Sequence, residues 1–155
     1  MGAFAALQLA NFTDVLIEYC RNDLAGSISA ATTKTNLKNM ATPFLNAGKR
    51  VWVCTACPTS TSTDSWVTTV NQTVTGGGYE TARLTYNSDI RANWASYGYS
   101  GLIDIASIVE DQANPGKWNV TGGAWTGDGV HPNGLGVTNV VNAGIITPTM
   151  FTPTF

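Results

Sequence analysis

The sequence contains a single histidine, His131, in a glycine-rich stretch that reads TGDGVHPNGLG from Thr126 to Gly136. Asp128 precedes this histidine by three residues, and Pro132 follows it directly. A free imidazole has a pKa of about 6.5, which suits a general base near neutral pH. A carboxylate on the other ring nitrogen would fix the tautomer and stabilise the imidazolium. The spacing therefore predicts that Asp128 orients His131 as a base, although a solvated turn histidine is the plainer interpretation of the same residues.

Apolar runs alternate with stretches of helical periodicity along the chain. Buried strands are predicted at Thr13–Cys20, Arg50–Cys57 and Gly101–Ile108. Helices are predicted at Ser27–Ala47, Tyr79–Tyr97 and Gly134–Ile145, and long loops at Thr59–Gly78 and around His131. This alternation predicts an α/β fold, with a parallel sheet and helices on its faces.

A polar pair, Asn22 and Asp23, follows the first predicted strand. Ligand sites of parallel α/β sheets form at the carboxyl ends of the strands, so the loop after this strand and the His131 loop are expected at the same rim. An amide there could donate a hydrogen bond to a developing oxyanion, which makes Asn22 a candidate. A simple turn or cap at the strand end is the alternative.

Composition excludes several classes of function. A chain of 155 residues with 43% hydrophobic residues fits one globular domain. The net charge of −2 gives no basic surface for nucleic acid and no polybasic membrane patch. No apolar run approaches the roughly 18 to 20 residues that span a bilayer. Charged residues are only 12% of the chain, which favours an extracellular or particle-associated protein.

The cysteines, Cys20, Cys54 and Cys57, do not form a metal motif. One CxxC pair and a single histidine are too few ligands for a zinc site. The sequence also lacks a P-loop, the motif that would indicate a bound nucleotide. We therefore expect neither a metal nor a cofactor. Either the cysteines are buried thiols, or two of them form a disulfide such as Cys20–Cys57. An odd count leaves at least one thiol unpaired within the monomer.

Two stretches resemble sequence blocks of the SGNH (GDSL-type) hydrolases, a family of esterases and deacetylases with a flavodoxin-like sheet. TDVLIEYCRND resembles the strand that ends in a G-x-N-D block, with Asn22 at the oxyanion-hole asparagine. DGVHPNGLG resembles the D-x-x-H-P block, with Asp128 and His131 at the triad positions. The resemblance implies a three-layer fold with helices on both faces of the sheet. It also implies a Ser-His-Asp ester hydrolase that acts on a small ester or an acylated carbohydrate.

The sequence departs from the family in two ways. Cys20 stands where the family has glycine, and Arg21 also differs from the usual residue. No serine precedes Asn22, so the G-D-S block with the nucleophile is absent, and the nucleophile is unassigned. The serines Ser27, Ser65, Ser100 and Ser107 have no strong claim to replace it. We therefore expect residues 1–155 to form a single domain that corresponds to the C-terminal part of the family's hydrolase domain.

The missing block has a structural consequence. In the family the first strand lies beside the strand that corresponds to Thr13–Cys20, so here that strand is expected to form an apolar edge and to promote self-association. Two alternatives to an autonomous hydrolase remain open at this point. The chain is either a non-catalytic binding or assembly module that retains the cleft, or a half-site that a partner chain completes.

Overall fold

A parallel sheet of three strands forms the centre of the computed structural model, which describes residues 11–151. The elements are β1 Asp14–Ile17, α1 Arg21–Ala25, α2 Ala30–Asn46, β2 Arg50–Cys54, β3 Ser60–Ser62, β4 Gln72–Val74, α3 Gly78–Asn93, β5 Gly101–Ile103, α4 Ala106–Val109, α5 Gly134–Asn142 and a final 3-10 turn at Pro148–Phe151. The strand order is β1-β2-β5, and β3 pairs with β4 in a separate antiparallel hairpin. The predicted parallel α/β fold is confirmed.

The sheet is covered on both faces, as the alternation within β2 shows. Val51 and Val53 are buried in a cluster with Leu37 of α2 and with Ile90 of α3. Trp52 and Cys54, which point to the opposite face, pack with Ile103 and with the C-terminal residues Ile145, Met150 and Phe151. The protein therefore has three layers, with α2 and α3 on one side and the C-terminal part on the other.

Helix α2, the longest among residues 11–151, has identifiable start and stop residues. Ser29 caps α2, because its hydroxyl accepts the backbone N–H of Thr32 at 3.1 Å. The helix continues through Pro43 and ends at Asn46, before Gly48, which has a φ of +70°. Leu37 and Ala41 face the sheet and are fully buried.

Several predicted elements differ from the structure. Strands β1 and β2 end at Ile17 and Cys54, three residues before the predicted ends at Cys20 and Cys57. Helices α3 and α5 end at Asn93 and Asn142, before the predicted ends at Tyr97 and Ile145.

The long loop Thr59–Gly78 contains the β3–β4 hairpin, whose connection is held by Asp64, an acceptor for the backbone N–H groups of Val67 and Thr68. The third strand ends at Ile103 instead of Ile108, because Asp104 accepts the N–H of Ser107 and starts α4. Residues after Cys20, predicted as a loop, form the short helix α1.

The three cysteines are unpaired, and residues 11–151 contain neither a cluster of metal ligands nor a helix that could cross a membrane. All three cysteines are free, so the alternative of a Cys20–Cys57 disulfide is not realised. Burial raises the pKa of each thiol to about 12. Within residues 11–151, no three His, Cys, Asp or Glu side chains are grouped so that they could hold a metal ion. No helix in this range combines the length and apolarity that a membrane crossing needs.

Strand β1 lies at one edge of the described sheet. Among residues 11–151 it pairs only with β2, and its Leu16 side chain is half exposed. Unpaired backbone groups beside an exposed apolar side chain favour pairing with a further strand. Self-association through this edge stays a prediction.

A buried ion network connects α3 with the carboxyl end of β2. Arg83 is completely buried, and its guanidinium donates to Glu80 at 2.7 and 2.8 Å and to Glu110. It also donates to the carbonyl oxygen of Ala56 at 3.2 Å. The side-chain amide of the buried Asn87 binds both backbone groups of Ala56. Its oxygen accepts the Ala56 N–H at 2.8 Å, and its nitrogen donates to the Ala56 carbonyl oxygen at 2.9 Å. These contacts fix the chain just beyond β2, which forms one wall of the cleft described below.

Replacing Arg83 with alanine should destabilise the protein by about 3 to 5 kcal/mol, because Glu110 would keep a buried charge without its counterion. Arg91→Ala is the matched control, since Arg91 pairs with Asp104 while its side chain is 38% exposed. Its loss should cost about 1 kcal/mol or less. Urea unfolding of both variants measures the difference. Equal losses would contradict the structural role of Arg83.

Candidate functional site

The His131 loop is closed by backbone contacts at its two ends. Thr126 and Pro132 form an antiparallel bridge, and the N–H of Asn133 donates to the carbonyl oxygen of Trp125 at 2.9 Å. The buried Thr126 hydroxyl donates to the carbonyl oxygen of His131 at 2.8 Å and accepts the N–H of Gly129 at 2.9 Å. The loop is therefore a compact turn in which Thr126 acts as an internal brace.

Gly129 anchors this turn to the hairpin. Its carbonyl oxygen accepts the backbone N–H of Ser60 at 3.1 Å and the indole N–H of Trp118 at 3.0 Å. The buried Gln72 side chain in turn contacts Ser60 and the backbone of Trp118. Gly129 has a φ of +73°, and a Cβ atom there would lie 1.9 Å from the carbonyl oxygen of Ser60. Only glycine fits at this position.

His131 and Asp128 are in direct contact, as predicted. Nδ1 of His131 lies 2.7 Å from Oδ2 of Asp128, while Oδ1 accepts the backbone N–H groups of Val130 and His131, both at 2.8 Å. The carboxylate requires a proton on Nδ1, which leaves Nε2 with a lone pair. Nε2 makes no hydrogen bond to any residue within 11–151, so it is free to accept a proton.

Hydrogen bonding determines the ionisation of Asp128. The His131 ring and the backbone N–H groups of His131 and Val130 hold the pKa of this carboxyl well below its usual range. Asp128 therefore remains a carboxylate at any pH near neutrality. Both side chains are largely open to solvent, with 74% of His131 and 55% of Asp128 exposed.

Asn22 and His131 border the same cleft. The cleft has a volume of about 160 Å³, and it is lined by Glu18, Arg21, Asn22, Ala56, Cys57, Val130, His131 and Pro132. The Asn22 side chain is exposed and makes no hydrogen bond to a described residue. Its amide is thus available to a group bound in the cleft. The predicted placement of Asn22 near His131 is supported, although it lies in α1 and not in a loop.

Cys20 adopts a backbone conformation that normally favours glycine. It precedes α1 with a φ of +109°, although its side chain is 97% buried and cannot easily move. This conformation turns the chain sharply between β1 and α1 and brings Asn22 to the cleft.

No serine within residues 11–151 lines the cleft. Of the serines considered as nucleophiles, Ser27 borders a different cavity, and Ser65 lies in the exposed connection of the hairpin. Ser100 accepts the backbone N–H of Val51 at the other end of the sheet, and Ser107 donates to the carbonyl oxygen of Asp104. Cys57 does border the cleft, but burial raises its pKa to about 12, and the reactive thiolate is therefore disfavoured.

Sequence reasoning missed several residues that position the site. Thr126 and Gly129 carry no sequence signal that separates them from ordinary turn residues. Asn133 could have been found, because an Asn before a helical stretch is a typical N-cap; it accepts the N–H groups of Leu135 and Gly136 at 3.0 Å and starts α5. Ala56 and Cys57 could also have been found, since they follow a parallel strand.

The fold is that of the SGNH, or GDSL-type, hydrolases. A candidate acylhydrolase from Bacteroides fragilis NCTC 9343 superposes with a TM-score of 0.59 at 19% identity, over 86% of this chain and 61% of that protein. A GDSL-like lipase from Bacteroides thetaiotaomicron VPI-5482 gives a TM-score of 0.60 at 18% identity, over 86% of this chain and 62% of that protein. The chain therefore spans less than two thirds of the length of either structure.

Because the two structures are only 19% and 18% identical to this chain, the similarity shows that the folds are alike and nothing further. No protein-family model matches the sequence. No curated protein sequence matches it either.

Gly129→Ala should destabilise the protein by more than about 2 kcal/mol, because the new methyl group would clash with backbone and the φ is unfavourable. Gly127→Ala is the control in the same loop, since a Cβ there meets nothing within 4 Å. Urea unfolding compares the two. If the two variants were equally stable, the contact with Ser60 would not anchor the loop.

The Asp128 carboxyl should titrate in the folded protein well below the ordinary aspartate pKa of about 3.9. Its contribution to the loop is present above about pH 4 and is lost as the pH falls through the lowered folded pKa. Carboxyl ¹³C NMR measures this directly. His131→Ala should raise the pKa towards the ordinary value, whereas Val130→Ala keeps the backbone N–H and should not. An unchanged pKa in His131→Ala would show that the ring does not hold the carboxylate.

Proposed function

We propose that this chain provides the base and the oxyanion donor of a serine ester hydrolase site. The observation that carries the proposal is the 2.7 Å contact between His131 Nδ1 and Asp128, which leaves Nε2 free beside a cleft that Asn22 also borders. His131 is the general base, Asp128 fixes its tautomer, and Asn22 donates to the oxyanion. One of the two similar structures is described as an acylhydrolase and the other as a lipase, and both names agree with ester hydrolysis.

The reaction needs a serine hydroxyl in the cleft. Its oxygen attacks the acyl carbonyl while Nε2 of His131 takes the hydroxyl proton. The carbonyl oxygen becomes an oxyanion, and the Asn22 amide donates to it; such a donor is typically worth about 2.7 to 4 kcal/mol. The imidazolium, stabilised by Asp128, then returns the proton to the leaving alcohol. Water repeats the sequence on the acyl-enzyme, releases the acid and restores the serine.

The nucleophile in this proposal comes from outside residues 1–155. Two observations support an external source. No serine of the described residues borders the cleft, and β1, the strand that leads to Asn22, has an unpaired edge within that part of the chain. A further strand on this edge would end at the same rim of the sheet as β1. A serine at the end of that strand would face His131. The strand belongs either to the same polypeptide or to a partner chain.

The size and openness of the cleft to solvent support a small ester as the substrate. A cleft of about 160 Å³ is too small for more than a short acyl group, and it opens to solvent at the exposed His131 and Asn22 side chains. It therefore fits a small ester or an acylated carbohydrate, whose alcohol part would remain largely outside.

A non-catalytic binding or assembly module is the second candidate. The absence of a serine from the described cleft favours it, since the cleft itself could still hold a ligand. The two candidates differ in what His131 contributes, because a binding module does not need a proton acceptor.

Hydrolysis of p-nitrophenyl acetate by the natural polypeptide that carries this chain tests the proposal. His131→Ala and Asp128→Asn should each lower kcat/KM by about 10⁴-fold, and Asn22→Ala by about 10²- to 10³-fold. Lys38→Gln, on the exposed surface of α2, is the control and should retain the full rate. If His131→Ala kept the rate, the assignment of the base would be wrong. If no variant and no preparation showed turnover, the binding module would be the better account.

A further inference from the structure

A second cavity adjoins the cleft and shares Arg21 with it. It has a volume of about 290 Å³, and Arg21, Thr59, residues 76–78 and Tyr79 contribute to its walls. The stretch TGGG that the sequence places before α3 thus lies at this cavity. None of these residues has a role in the proposed hydrolysis.

The N-terminus of α3 opens into this cavity without a cap. Its N-cap residue is Gly77, which has a φ of +82° and no side chain that could accept the first N–H groups of the helix. A Cβ atom at Gly76, Gly77 or Gly78 would meet nothing within 4 Å, so the space in front of this backbone is open. Helix N-termini with free N–H groups and a positive dipole end attract anions.

Two polar side-chain atoms at the cavity lack partners. Thr59 is 93% buried, and its Oγ1 forms no hydrogen bond of normal geometry to a described residue, although the Tyr79 hydroxyl lies near it. The Nε atom of Arg21 is also buried and has none. Buried polar atoms normally form hydrogen bonds, and an unpaired one destabilises the folded protein. A bound acceptor would satisfy both groups.

The charge of Arg21 is not neutralised within the described chain. Its guanidinium lies 4.9 Å from the ring centroid of Tyr79, which holds it at the start of α3. No described carboxylate lies within ion-pair distance of it. The nearby Glu80 is paired with Arg83 through both carboxylate oxygens. The net charge at the cavity therefore favours an anion.

We propose that this cavity binds an oxyanion, a carboxylate, phosphate or sulfate group, between Arg21, Thr59 and the N-terminus of α3. Arginine suits such groups because its planar fork matches two oxygens at once. Arg21 borders both cavities and precedes Asn22. The carboxylate, phosphate or sulfate group bound here is therefore part of the ester substrate. This second step rests on the proposed function and defines the substrate class as negatively charged esters, such as acylated acidic sugars.

Titration of the protein with inorganic phosphate and with acetate, at constant ionic strength against chloride, tests the site. Backbone amide signals of residues 76–80 and the Arg21 Nε–H signal in ¹⁵N NMR should shift saturably with at least one of the two anions. Arg21→Gln should weaken the binding at least tenfold. Thr59→Val should also weaken it and should fold normally, because it replaces only a buried hydroxyl with a methyl group.

Lys38→Gln removes the same charge elsewhere and should change nothing. Shifts that do not saturate, or equal affinity in Arg21→Gln and the unmodified protein, would overturn the proposal.

Binding of O-acetylated glucuronic acid and O-acetylated glucose tests the link to the substrate. The charged ester should bind at least tenfold more tightly, and Arg21→Gln should abolish the difference. Equal binding of the two esters would overturn the link even if phosphate saturates the site. A saturable anion site in a protein whose turnover does not depend on His131 would instead contradict the proposed function and leave the oxyanion site intact.

Discussion

The close approach of Gly129 to the backbone of Ser60 determines where the His131 loop lies. The loop has few apolar side chains, so it is held by hydrogen bonds to the hairpin and to Trp118, not by burial of its own residues. The contact is possible only because Gly129 has no side chain. Asp128 and His131 flank this point, and their mutual geometry follows from the same turn. The position of His131 thus depends on a hairpin of two three-residue strands, and that hairpin in turn depends on Gln72 and Asp64.

The opposite wall of the cleft has a different origin. Arg83 and Asn87 reach across from α3 and hold the backbone of Ala56, while the left-handed conformation of Cys20 directs Asn22 to the same rim. Contacts within the chain therefore hold both walls of the cleft. This arrangement is consistent with a site that lacks only its nucleophile. Within the described residues, the edge of β1, the strand that leads to Asn22, is unpaired.

The sequence predicted the elements whose signals are local and periodic. The alternation of apolar runs and helical stretches was sufficient for the parallel α/β fold, whereas the three layers were expected from the family resemblance. The D-x-x-H spacing was sufficient for the His131–Asp128 contact. The β3–β4 hairpin was not predicted, because each of its strands has only three residues and its connection depends on hydrogen bonds to the Asp64 side chain. The end of the third strand was missed because Asp104, a single aspartate inside an apolar run, accepts the N–H of Ser107 in the first turn of α4. Such single-residue effects have no periodicity to detect.

Labelling with a fluorophosphonate serine probe, followed by peptide mapping, tests most directly that His131 serves a nucleophile from outside this chain. The account predicts that no serine within residues 1–155 is labelled in the isolated, folded chain. In the natural assembly a serine on another segment or chain should be labelled, and the His131→Ala variant should lose that label. A His131-dependent label on any serine of this chain would contradict the account. The complete absence of labelling in the natural assembly would contradict a hydrolase function.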